Sequence, residues 1–133
     1  MESCRIYMLE SKEDDRGWLF SLPDESLRFL GTIQEVHVGT VGHLKVRGNH
    51  VHPHRKEVLF VRYQSSWDFY WQLPDDKEPR HESILGTGAV IVEIPQGVAH
   101  TLYNPGSEPL IMAAFSDQKF VPDSDDTQRI ILF

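Results

Sequence analysis

The chain has 133 residues, 40% of them hydrophobic, with seven Phe, four Tyr and three Trp, and a formal net charge of −7. That length and apolar content suit one folded domain over residues 1–133 and exclude a disordered chain, while the acidic balance argues against a nucleic-acid binder, which would carry a basic face. Cys4 is the only cysteine, the N-terminal stretch is charged, and no run approaches the roughly 18 apolar residues of a membrane helix, so the expected setting is reduced, cytoplasmic and without a membrane partner.

Taken in chain order, residues 26–30 read as a helical turn. Short segments rich in Val, Ile, Phe, Tyr and Trp then follow at 32–39, 42–47, 58–64, 67–73, 81–85, 89–94, 100–104 and 110–116. Gly and Pro punctuate them, and Pro74–Lys77 and Pro105–Glu108 read as turns. Many short strands at this spacing predict an all-β sandwich or barrel. The tail ends in Ile130-Ile-Leu-Phe133, which predicts a terminal strand, an edge cover or a dimer contact.

One cluster of polar residues stands out. His50 and His52 are two apart, so a strand points both to one face. Glu57 has the wrong parity for the same unbroken strand. Pro53 cannot donate a ladder hydrogen bond, so a break there would let Glu57 open the next strand on the same interior. His100 must arrive from a distant strand, and a barrel interior is where such residues converge. Three imidazoles and a carboxylate suit one divalent ion (Zn, Fe, Mn, Ni or Co, with zinc favoured) and leave coordination positions open.

Two stretches carry a family resemblance. Gly48-Asn-His50-Val-His52-Pro-His-Arg-Lys-Glu57 and Gly88-Ala-Val-Ile-Val-Glu-Ile-Pro95-Gln-Gly97-Val-Ala-His100-Thr-Leu-Tyr-Asn104 resemble the two motifs of the cupin superfamily. The resemblance implies a jelly-roll β-barrel (double-stranded β-helix), assigns the metal to His50, His52, Glu57 and His100, and implies a homodimer, since cupins often dimerise by exchanging or aligning edge strands, which also protects those edges. Leu44 stands where the first motif has its leading Gly, Gln64 where it has its closing Gly, and Gly88 lies one residue too far from Pro95. Asp14-Asp15-Arg16-Gly17-Trp18 and Arg47-Gly48-Asn49-His50 resemble segments of the dTDP-4-dehydrorhamnose 3,5-epimerase family. The Arg-Gly-Asn-His-x-His run and the Phe120–Thr127 ending resemble the C-terminal cupin domain of bifunctional capsular polysaccharide epimerase/reductases.

Those resemblances imply an isomerase or epimerase acting on a 4-keto nucleotide sugar, in polysaccharide or deoxysugar synthesis, through an enolate. The epimerase family uses the His of Arg-Gly-x-His as base. Its counterpart His50 cannot be both base and metal ligand, which leaves His54, His37 or a hydroxide on the ion. The family's acid is a Tyr, near which this chain has Phe120, and Tyr103 and Tyr70 are the substitutes. Arg47, Asn49 and Arg16 are the candidate substrate-binding residues, with the planar fork of Arg47 suited to a diphosphate. A metal-dependent dioxygenase and a non-catalytic sugar-binding cupin are the alternatives.

Overall fold

The computed structural model describes residues 2–121 and 126–133. Twelve strands and one helix are present among them: β1 (Arg5–Met8), β2 (Lys12–Asp14), β3 (Gly17–Leu19), α1 (Asp24–Leu30), β4 (Glu35–Val41), β5 (Lys45–Val51), β6 (Glu57–Tyr63), β7 (Trp67–Gln72), β8 (Arg80–Ile84), β9 (Gly88–Ile94), β10 (Ala99–Asn104), β11 (Leu110–Ser116) and β12 (Gln128–Arg129). Two five-stranded antiparallel sheets, ordered β1-β9-β6-β11-β4 and β12-β5-β10-β7-β8, face each other, and β2 and β3 form a separate hairpin. This is the expected all-β jelly roll. Among the described residues no helix is long and apolar enough to cross a membrane.

Alternation along each strand decides what fills the barrel. Leu59, Val61 and Tyr63 of β6 face Val90 and Val92 of β9, with Trp67 and Phe69 of β7 and Leu102 of β10 completing one buried cluster. The opposite face of the same sheet is covered too. Val58 and Ile91 point outward and pack under Leu30 of α1, and the β2–β3 hairpin lays Trp18 against Phe60, with Phe20 beside it.

Strand predictions hold in register, with shifted ends. The strand predicted at 42–47 runs instead from Lys45 to Val51, because it crosses Gly48 and Asn49 without breaking. The four-residue β1 and two-residue β12 were too short and too polar to show a period, yet each extends a sheet edge.

Candidate metal centre

Strand β5 ends, and strands β6 and β10 begin, at one rim of the barrel, and the four candidate ligands stand there. His50 lies on β5, His52 one residue beyond its end, Glu57 opens β6, and His100 is the second residue of β10. Residues 53 and 54 form the predicted turn. Gly97, at φ +79, donates its N–H to the His52 carbonyl at 2.9 Å, so the Pro95-Gln-Gly97 turn ties the two motifs together.

A backbone irregularity aims His50. Along β5 and β10, Arg47 pairs with Leu102, Gly48 with Thr101 and His50 with His100, so Asn49 is an extra residue without a partner. Residues three apart on a regular strand face opposite sides. This one-residue bulge puts Arg47 and His50 on the same, interior face. Gly48 at φ +110 and Asn49 at φ +54 supply the left-handed backbone it needs. The Arg-Gly-Asn-His run is therefore a device for turning an arginine and an imidazole toward one cavity.

The donor atoms converge. His50 Nε2 lies 3.1 Å from His100 Nε2. Glu57 Oε1 lies 3.1 Å from His52 Nε2 and 3.4 Å from His100 Nε2, and all four ligand atoms fall within 4.8 Å of one another. Donors held about 2.0–2.2 Å from a common ion stand roughly 3–3.5 Å apart, so this spacing fits a divalent metal.

The hydrogen bonds give an independent test. His100 Nδ1 donates to the Val98 carbonyl (3.2 Å) and His52 Nδ1 to the Asp126 carbonyl (3.0 Å). A neutral imidazole carries one proton, so in the neutral form of these rings each Nε2 turns a lone pair inward. Glu57 Oε1, buried among these lone pairs, has no aligned hydrogen-bond partner. Acceptors facing acceptors in a buried site call for a cation between them.

Electrostatics keep the set ready to ligate. Burial, then the neighbouring His100 and His52, push His50 down to about 3, so its ring is neutral. Burial alone would raise the Glu57 carboxyl; positive charge at its Oε1, which His100 and His52 supply by hydrogen bonding when protonated at Nε2, outweighs that and holds it well below its usual range. Ser116 Oγ, fully buried, lies 3.4 Å from Glu57 Oε2 and fixes the carboxylate from behind.

The cluster forms the floor of a cavity of about 480 Å³, whose walls include His37, Arg47, Arg55, Met112 and Phe120. The remaining predicted site residues separate clearly. His37, opposite Ala114, faces the cavity, its Nε2 3.8 Å from Glu35. Arg47 lines it and donates from Nε to the Thr40 carbonyl at 2.7 Å. The others stand elsewhere. Tyr103 lies three residues from His100 and faces outward, with its ring centroid 4.5 Å from that of Phe133. Tyr70 is also on that outer face, stacked between His81 and Phe133. His54 is exposed, with its backbone N–H on Asp126 Oδ1. Asn49 reaches away to the tail, accepting from Leu132 N–H and donating to the Phe133 carbonyl. Arg16 projects from the hairpin and pairs with Asp14. Tyr103, His54, Asn49 and Arg16 thus do not line the cavity.

Sequence reasoning missed Arg55 and Ser116. Arg55 is buried, its Nη2 2.8 Å from His52 Nδ1 and its Nε 3.6 Å from Asp126 Oδ2. An Arg next to a Lys reads as solvated, and only the tail's position buries it. Asn104, four residues after His100 and so of the same parity, is fully buried and bonds the Val41 and Glu108 carbonyls and the Gly106 N–H. Of the Phe120–Thr127 ending, Pro122–Asp125 lie outside the described residues.

Comparison with known proteins agrees with this geometry. The polysaccharide biosynthesis C-terminal domain family matches residues 12–128. The chain belongs to this family. No curated protein matches the sequence. Among solved structures, the capsular polysaccharide assembling protein CapF of Staphylococcus aureus is 22% identical with a TM-score of 0.65, covering 93% of this chain and 33% of its own. The family member described here therefore spans about a third of the length of CapF. The 3,4-ketoisomerase QdtA of Thermoanaerobacterium thermosaccharolyticum, in complex with TDP-4-keto-6-deoxyglucose, is 17% identical with a TM-score of 0.69, covering 97% and 88%. The rmlC epimerase of Mycobacterium tuberculosis is 13% identical with a TM-score of 0.73, covering 96% and 68%. The cupin fold is common to all of them.

Proposed function

We propose that the protein is a metal-binding isomerase or epimerase of a 4-keto nucleotide sugar. The observation that carries the reading is the cavity itself: a His/His/Glu/His donor set forms its floor, and a further imidazole, His37, and the guanidinium of Arg47 stand on its walls. The same fold serves a ketoisomerase and an epimerase.

His50, His52, Glu57 and His100 would hold the ion. When bound, it supplies a Lewis acid for a ketone oxygen, lowering the cost of the negative charge an enolate develops. The chain's own residues do the rest. With three imidazoles committed as ligands, His37 is, among the described residues, the remaining cavity-lining group suited to take a proton from the carbon next to the ketone and return it. Glu35 stands 3.8 Å from its Nε2. Arg47 offers its free guanidinium nitrogens to the diphosphate while its Nε is held by Thr40. Phe120 and Met112 give the sugar an apolar wall.

The test is solvent exchange. Incubation of the zinc-loaded protein with dTDP- and UDP-linked 4-keto sugars in deuterated water should place deuterium beside the ketone, and His37→Gln should abolish this while keeping the metal. Absence of exchange with every such sugar contradicts the enzyme reading. Phe120, which has no proton to give on a wall where the epimerase family places a Tyr, favours one second reading, sugar binding without turnover. Tight binding with no deuterium would select it.

A further inference from the structure

The last eight residues are built into the metal centre from behind. Strand β12 pairs Arg129 with His50 and Gln128 with Val51, so it forms the outer edge of the strand that carries one ligand and leads to another. Ile130 donates its N–H to the Asn49 carbonyl at 2.9 Å, Leu132 donates to Asn49 Oδ1 at 2.9 Å, and Phe133 lies on Tyr70 and Tyr103. Leu132 is buried.

Two contacts join this segment to His52. The Asp126 carbonyl accepts the Nδ1 proton at 3.0 Å, with Thr127 Oγ1 at 3.3 Å. That acceptor selects the tautomer whose Nε2 lone pair faces the other ligands. Arg55 cannot replace it. Its Nη2 lies 2.8 Å from Nδ1 and 3.2 Å from Nε2. A position almost equidistant from both nitrogens is off the in-plane lone pair of either, and a guanidinium accepts no proton. Arg55 is instead a buried cation beside the ligands, with the Asp126 carboxylate at 3.6 Å as its counter-charge. If the tail lifts, His52 loses the partner of its ligating tautomer, and an uncompensated positive charge faces the ion.

We propose that segment 126–133 is a latch on the metal centre: its docking strengthens metal binding, and bound metal in turn holds it down. This rests on the metal reading of the cluster. Coupling between two binding events is reciprocal, so both directions carry the same factor. Outer-shell partners of a ligating His are worth about tenfold to a hundredfold in metal affinity.

The experiment uses the full chain and zinc. Amide hydrogen exchange of Ile130 and Leu132 is measured with the protein chelator-treated and zinc-saturated, and zinc affinity is measured by competition with a chromophoric chelator for wild type, Asn49→Gly and Phe133→Ala. Asn49→Gly keeps the positive φ and removes the side-chain bonds to the tail, and Phe133 touches no ligand. The latch predicts that zinc slows exchange at both amides about tenfold or more, and that each variant weakens zinc about tenfold. Wild type that binds zinc with unchanged tail exchange, and variants that bind zinc as tightly as wild type, would overturn it. Wild type that binds no zinc overturns the metal reading and the latch together, and that result is seen in the titration before any variant is compared.

Discussion

Replacing Gly48 with Ala tests how the bulge builds the site. Gly48 sits at φ +110, and a Cβ there would meet the His100 carbonyl oxygen at 2.6 Å and the Thr101 Cα at 2.8 Å. Both are backbone atoms within the β5–β10 ladder, so neither can swing aside as a side-chain tip would. Holding an L-residue in this backbone region costs about 1–3 kcal/mol, and overpacking adds about 1–3 kcal/mol. The expected loss of stability is therefore about 2–6 kcal/mol. The clash is relieved by moving β5 away from β10, which carries His50 away from His100 and opens the 3.1 Å gap between their Nε2 atoms. Urea unfolding of the chelator-treated protein reads the stability, and zinc competition reads the site. Gly39→Ala is the control: a Cβ there meets nothing within 4 Å, and the change should stay within about 0.5 kcal/mol. If Gly48→Ala matched Gly39→Ala in both assays, the bulge would not set the ligand geometry.

Two further outcomes follow from the same structure. Leu44 holds a left-handed φ of +58 with 57% of its surface exposed, so Leu44→Gly should gain about 0.5–1 kcal/mol in thermal or urea unfolding, the relief of backbone strain exceeding the entropy cost of glycine; a loss would show that Leu44 packs usefully. The neutral His50 ring sets a pH dependence. Its folded value near 3 lies below the ordinary 6.5, so the unfolded chain binds the proton first. The stabilisation is complete above about pH 6.5 and is lost as pH falls toward 3, by at most about 1.4 kcal/mol per unit. Glu57 adds a second loss below its ordinary 4.5, since its folded carboxyl is held down. Chelator-treated wild type should thus lose about 1.4 kcal/mol between pH 7.5 and 5.5, and His50→Gln should lose less; equal slopes would contradict the buried neutral ring.

Much of the fold was legible because alternation and turn chemistry are local. The strand at 110–116 was read to the residue, and Pro53 did mark the break that returns Glu57 to the interior. The convergence of His50, His52, Glu57 and His100 was legible because HxH parity and the second motif constrain each other. The orientation of Tyr103 was also legible. Three residues from an inward His100 on the same strand, it must face out. The roles of Asn49, Arg55 and the tail were not legible. Each depends on a contact more than 70 residues away in sequence, which no local period encodes. The left-handed backbone at Leu44 shows the converse: the turn keeps the conformation a motif glycine would favour even though a leucine occupies it.

The central claim is that His50, His52, Glu57 and His100 hold one divalent ion at the base of the cavity. Zinc titration of chelator-treated wild type, His54→Ala and His100→Ala tests it most directly. One ion per chain is expected for wild type and for His54→Ala, whose side chain is exposed beside the site, with binding lost or weakened by orders of magnitude in His100→Ala. Wild type that binds no ion, or His100→Ala that binds as tightly as wild type, would contradict it.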